Sequence, residues 1–140
     1  MKQGIWIGIF LAASLLAGCG DGSAENLVIT EDRNGETIAL EKDDGLSVEL
    51  SGNPTTGYEW TVVRIDADFV RLEESSYDSD SSAIGSGGTY VFRFETLQAG
   101  ETTLAFAYRR SWETTASDRT FTLALDIQDP ENADSAAGEP

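Results

Sequence analysis

Apolar residues stand two apart through most of the middle of the chain. Leu46, Val48 and Leu50 alternate with polar neighbours, and Tyr58, Trp60 and Val62 do the same. Tyr90, Phe92 and Phe94 form a third set and Leu104, Phe106 and Tyr108 a fourth; Phe121, Leu123, Leu125 and Ile127 give the longest. Successive side chains of a strand point to opposite faces, so a period of two predicts half-buried strands. Leu27–Thr30, Thr37–Leu40 and Phe69–Leu72 carry weaker versions of the pattern. No segment shows a helical stripe. Asn34-Gly35, Asp44-Gly45 and Ala99-Gly100 supply turn chemistry between the runs.

Several short alternating strands, without strand–helix–strand spacing, predict an all-β fold, an immunoglobulin-like antiparallel β-sandwich. The single cysteine rules out the internal disulfide of antibody domains. The strands fall within residues 27–128, about the size of one ordinary domain. No internal repeat interrupts them.

The ends of the chain read differently. Lys2 precedes a nearly uninterrupted apolar run, Ile5–Leu16, which leads into Leu16-Ala17-Gly18-Cys19. About a dozen apolar residues fall short of the roughly 20 that a spanning helix needs. Small residues before a cut suit a signal peptidase. Leucine, two small residues and a cysteine follow the pattern of a bacterial lipobox. Residues 1–18 are therefore expected to be a lipoprotein signal peptide, with Cys19 as the lipidated N-terminus of an exported, envelope-anchored protein. Two or more acyl chains hold a protein stably where one is marginal. Residues 19–26 read as a tether. Residues 129–140 are acidic and almost without apolar side chains, and are expected to be a disordered tail.

Charge and composition exclude more than they assign. The whole chain carries −16, and loss of residues 1–18 removes one lysine and no acid, leaving it one unit more negative. Such a field disfavours nucleic acid and anionic headgroups. The chain has no histidine, which removes histidine-based triads and the commonest transition-metal ligand. Glu73-Glu74 and Asp43-Asp44 are pairs of adjacent acids, which in strands and turns point apart and read as solvated surface rather than glycosidase carboxylates. Asp78-Ser79-Asp80 has alternating oxygen ligands but lacks the glycine and distal glutamate of a calcium loop. No metal or cofactor is expected, and no enzymatic activity.

Three segments between strands are unusual. Asn53-Pro54-Thr55-Thr56-Gly57-Tyr58 combines a fixed φ, a side chain able to bond its own backbone, and a residue tolerant of positive φ. That makes a stiff protruding loop, and taken alone it is equally well explained as a well-made turn. Gly85-Ser86-Gly87-Gly88 lets backbone amides approach a partner closely, with no following helix or nearby lysine to suggest a phosphate site. Arg110-Ser111-Trp112 ends an apolar strand, and arginine and tryptophan are favoured interface anchors.

These three segments resemble, in order, the NPTTGY-type, GxGG-type and RP-[WF]-type loops of the chagasin family. Its members are immunoglobulin-like inhibitors of papain-type cysteine proteases. The resemblance runs from about Leu46 through Ile127, and Ser111 stands where the family usually has proline. It implies a reversible, noncovalent inhibitor acting as a monomer. Thr55, Thr56 and Gly57 would then sit at the catalytic cysteine of a papain-like protease, Gly85–Gly88 along one side of its cleft, and Arg110 and Trp112 along the other. The competing expectation is an envelope module of immunoglobulin type that binds a protein or glycan through the same loops.

Overall fold

The computed structural model describes residues 26–113 and 119–132. The expected signal peptide, Cys19 and most of the acidic tail lie outside these residues. Among the described residues, eight strands make up the fold: β1 Asn26–Thr30, β2 Thr37–Glu41, β3 Gly45–Gly52, β4 Tyr58–Arg64, β5 Val70–Ser79, β6 Gly88–Thr96, β7 Gly100–Arg110 and β8 Arg119–Gln128. They form two four-stranded sheets, in the orders β1-β3-β6-β5 and β2-β8-β7-β4. β1 begins at Asn26, one residue inside the stretch read as a tether.

The alternating residues are the core. Leu46, Val48, Leu50, Phe92 and Phe94 from one sheet meet Leu104, Phe106, Phe121, Leu123, Leu125 and Ile127 from the other, all buried. Phe106 is the hub. Its ring lies 5.1 Å from Phe92, 5.9 Å from Phe94 and 5.9 Å from Phe121, in tilted or edge-on arrangements that complement ring quadrupoles.

The sandwich departs from an all-antiparallel one at two edges. β1 runs parallel to β3, and β2 runs parallel to β8. The remaining four pairings are antiparallel. Period-two patterning reports burial and is blind to the direction of a neighbour, so sequence could not separate these cases.

β5 is far longer than its apolar signal. Only Val70 is fully buried, and the strand continues through Glu73, Glu74 and Ser75 to Ser79. As an edge strand it needs little apolar surface. Arg93 reaches Glu74 at 2.9 Å, and Arg71 pairs with Glu95 across the same ladder. Charged edge positions also discourage pairing with another chain. The Asp43-Asp44 pair builds a turn: the Asp44 carboxylate accepts from the Glu41 amide at 2.9 Å, and Asp43 takes a positive φ of 72°. Among the described residues, no group of three acids is placed to hold a metal ion.

Strand direction sorts the ends of the domain. Gly52 of β3 pairs with Gly88 of β6, and Arg110 of β7 with Tyr58 of β4, so all three unusual segments leave from one pole. Asn26 sits beside Gly45, and Ile127 beside Gly100, at the opposite pole.

Candidate functional site

The first loop is held from within. The Asn53 side-chain carbonyl accepts from the Thr55 amide at 3.1 Å and from its hydroxyl at 2.6 Å. The Thr56 hydroxyl donates to the Asn53 carbonyl at 2.8 Å. Pro54–Thr56 curl into a single 3-10 turn, which Gly57 closes by donating its N–H to the Pro54 carbonyl at a φ of 82°. Proline sets the turn's first φ, and glycine accepts the left-handed conformation that other residues resist. Pro54, Thr55 and Thr56 are exposed at the tip, while Asn53, Gly57 and Tyr58 are half-buried.

It is also held from below. The Tyr108 hydroxyl accepts from the Asn53 amide at 2.7 Å and lies 3.3 Å from the Asn53 carbonyl, to which it donates. Tyr58 stacks on Tyr108 with centroids 5.4 Å apart, and Trp60 lies against the same ring at 5.2 Å. Tyr90 donates to the Tyr58 carbonyl at 3.4 Å. Burial, reinforced by the nearby Tyr108, Glu59 and Tyr77, pushes the Tyr90 hydroxyl up to about 12, so it stays protonated as a donor.

The glycines of the second segment have separate tasks. Gly85 takes a φ of 83° at the corner of an exposed turn. Gly87 passes so near the Gly52 carbonyl that a Cβ would lie 3.3 Å from it. Gly88 is buried at the start of β6, where a Cβ would fall 2.6 Å from the Tyr77 hydroxyl. Gly88 therefore belongs to the strand and its packing, and the exposed part of the loop lies before it. Asp80 and Gly87 close the loop through an N–H to carbonyl bond of 3.0 Å. The Ser79 hydroxyl is taken up at 2.6 Å by the Ser81 carbonyl inside the same loop.

The third segment leans on the first. The Arg110 guanidinium lies 4.5 Å from the centroid of Tyr58 and donates to the Thr56 carbonyl at 3.2 Å. It also pairs with Glu113 at 3.1 Å, and the Glu113 amide donates to the Arg110 carbonyl at 3.2 Å. With serine at 111, that bond and ion pair close the turn from Arg110 to Glu113. Trp112 is 69 % exposed yet lies directly over the Cα of Gly57.

Cross-links unite the segments. Asn53 donates its side-chain amide to the Gly85 carbonyl at 3.0 Å, joining the first loop to the second. Arg110 and Trp112 join the third to the first. One pole of the sandwich thus carries a braced edge with Pro54-Thr55-Thr56 at its tip. One contributor to the bracing is not legible in the sequence. Tyr108 reads there as one more strand residue, and nothing in the alternation tells that its hydroxyl spans Asn53. Ile84, beside Gly85, is fully exposed.

Residues 39–127 match the chagasin family of peptidase inhibitors, designated I42. The chain belongs to this family. Amoebiasin-1 of Entamoeba histolytica is 37 % identical over 100 residues, covering 71 % of this chain and 98 % of the relative. The crystal structure of a cysteine protease inhibitor from Entamoeba histolytica superposes with a TM-score of 0.68 at 24 % identity, over 74 % of this chain and 96 % of that one. A third protein, PbICP-C, solved in complex with falcipain-2, shares the fold at a TM-score of 0.57 and 14 % identity, over 74 % of this chain and 99 % of that one.

Proposed function

We propose that this chain inhibits papain-type cysteine proteases reversibly and without covalent chemistry, by seating the Asn53–Tyr58 loop at the catalytic cysteine. The observation that carries this reading is the bracing of that loop. Asn53, Tyr108, Arg110 and Trp112 fix it from three sides before any partner arrives. A rigid loop loses little entropy on docking, which converts contact area into affinity. Pro54–Thr56 is curled rather than extended. It fills space at a nucleophile without laying a peptide bond across it in the extended form of a substrate. Ser86 and Gly87 would flank one side of the cleft, and Arg110, Ser111 and Trp112 the other. The chain is itself no enzyme in this reading: it lacks histidine, and its only cysteine is assigned to the lipid anchor.

The deciding experiment is titration of papain with the form lacking residues 1–19, which keeps every described strand. Inhibition in the nanomolar range is expected, and Thr56→Arg should abolish most of it while leaving thermal unfolding unchanged. Full papain activity at micromolar protein would instead favour an envelope module that binds a different protein or a glycan.

Export and lipidation at Cys19 complete the proposal, supported by Leu16-Ala17-Gly18-Cys19. Cys19→Ser should shift the protein from the detergent phase to the aqueous phase of a bacterial membrane extract. Unchanged partition would sink the anchor.

A further inference from the structure

An arginine heads the inward-facing series of β8. Phe121, Leu123, Leu125 and Ile127 are buried at alternate positions, and Arg119 stands two residues before Phe121, at the mouth of the sandwich. It lies directly across the ladder from Tyr108. Its guanidinium is 5.1 Å from the centroid of the Tyr108 ring and 5.2 Å from that of Trp60. It also donates to the Ser51 carbonyl at 3.4 Å and pairs with Glu31. β8 belongs to one sheet and β3, which carries Ser51, to the other. A single side chain thus bridges the two layers at the pole that carries the loops.

The groups that Arg119 holds lead to Asn53. The Ser51 carbonyl also accepts from the Trp60 indole N–H at 2.9 Å, and the Ser51 hydroxyl donates to Glu31 at 2.6 Å. Glu31 thereby grips Arg119 and Ser51 together. At Gly52 the backbone presses on two rings, where a Cβ would fall 2.8 Å from Tyr90 and 3.0 Å from Tyr108. The next residue is Asn53, whose amide and carbonyl both meet the Tyr108 hydroxyl. An exposed ion pair contributes little to stability by itself. Here its geometry sets where the Tyr108 ring and the end of β3 lie.

Resting on the function proposed above, we infer that Arg119 is a positioning residue for inhibition. Backed by Glu31, it sets the Tyr108 ring and the Ser51 carbonyl so that the Tyr108 hydroxyl meets Asn53 and the Pro54–Thr56 tip is held ready to dock. It acts through these two groups and not on the protease. The role needs a planar fork. A guanidinium lies on aromatic faces while its N–H groups donate sideways to a carbonyl and a carboxylate, which a lysine ammonium does not reproduce. When the competent loop is only part of the population, apparent affinity falls by that fraction.

The test measures inhibition of papain by the full chain in non-ionic detergent, with hydrogen exchange at the Asn53 amide read in parallel. Arg119→Ala should weaken inhibition about five- to tenfold, the loss expected when the held loop falls to between a fifth and a tenth of the population. Exchange at the Asn53 amide should quicken with it. Arg119→Lys keeps the charge and should stay at least threefold weaker than the unaltered chain. Glu31→Gln should show both changes in smaller measure. Should Arg119→Ala fail to fold, these two variants carry the same test. With Tyr108→Phe already present, Arg119→Ala should weaken inhibition less than twofold further, because both act on one contact. Unchanged inhibition, losses that simply multiply, full recovery with lysine, or weaker inhibition with unchanged exchange at Asn53 would each overturn the positioning role. If the unaltered chain leaves papain fully active, the inhibitor reading falls, while exchange at Asn53 still decides whether Arg119 holds the loop.

Discussion

The indole of Trp112 lies over the Cα of Gly57 so closely that a methyl group there would sit 2.5 Å from the ring. Two of the segments that define the functional pole are therefore in register through a single missing side chain. Gly57 is doubly constrained, by a φ of 82° and by the ring. Gly57→Ala should cost about 1–2 kcal/mol from the left-handed backbone and displace Trp112 as well. A lowered unfolding temperature together with at least tenfold weaker inhibition is expected. Weakened stability with unchanged inhibition would show that the register of the two segments is unimportant.

Tyr108 acts through Asn53 and not on a partner. Tyr108→Phe keeps the stack with Tyr58 but leaves the Asn53 amide without its acceptor, a loss of about 1–3 kcal/mol for a part-buried group. Faster hydrogen exchange at the Asn53 amide and roughly tenfold weaker inhibition should appear together. Protection that persists in the variant would remove Tyr108 from the bracing.

Trp112 remains 69 % exposed, and in the proposed complex its ring would anchor the partner. Trp112→Ala should raise the inhibition constant about ten- to hundredfold, chiefly through faster dissociation. Stopped-flow association and dissociation rates separate the two; a change confined to association speaks against an anchoring ring.

Tyr90 ties stability to high pH. Its hydroxyl ionises near 12 in the folded protein against 10 in a free chain, raised mainly by burial. Between those values the folded state holds a proton that the unfolded state releases, so stability falls as pH rises from 10 towards 12. Below 10 this contribution is fully present. Tyr90→Phe should flatten the decline, as read from denaturant midpoints at pH 9, 10, 11 and 12. A variant that declines as steeply as the unaltered chain would refute the assignment.

The sequence made the eight strands legible because nearly all of them bury one face, and burial writes itself as alternation. It failed where burial is not what holds a strand. β5 runs on past Leu72 through ion pairs and backbone bonds to β6, so its remainder, Glu73–Ser79, looks like loop. The parallel pairings of β1 and β2 leave no trace in composition. At the site, Pro54–Thr56 stood out because proline, asparagine and glycine announce a turn. The contribution of Tyr108 depends on what lies across space, and one residue's chemistry does not record that. Gly88 shows the converse. In the sequence it reads as part of a glycine loop whose backbone approaches a partner, and it is a buried strand position under Tyr77.

Asn26 and Ile127 both lie at the pole remote from Asn53. β3 alone, eight residues from Gly45 to Gly52, separates the poles by about 25 Å. The first described strand therefore starts at the pole opposite the threonine tip. If the anchor proposed above is present, an entry at the far pole would leave the Pro54–Thr56 tip unobstructed by the strand that carries the chain into the domain.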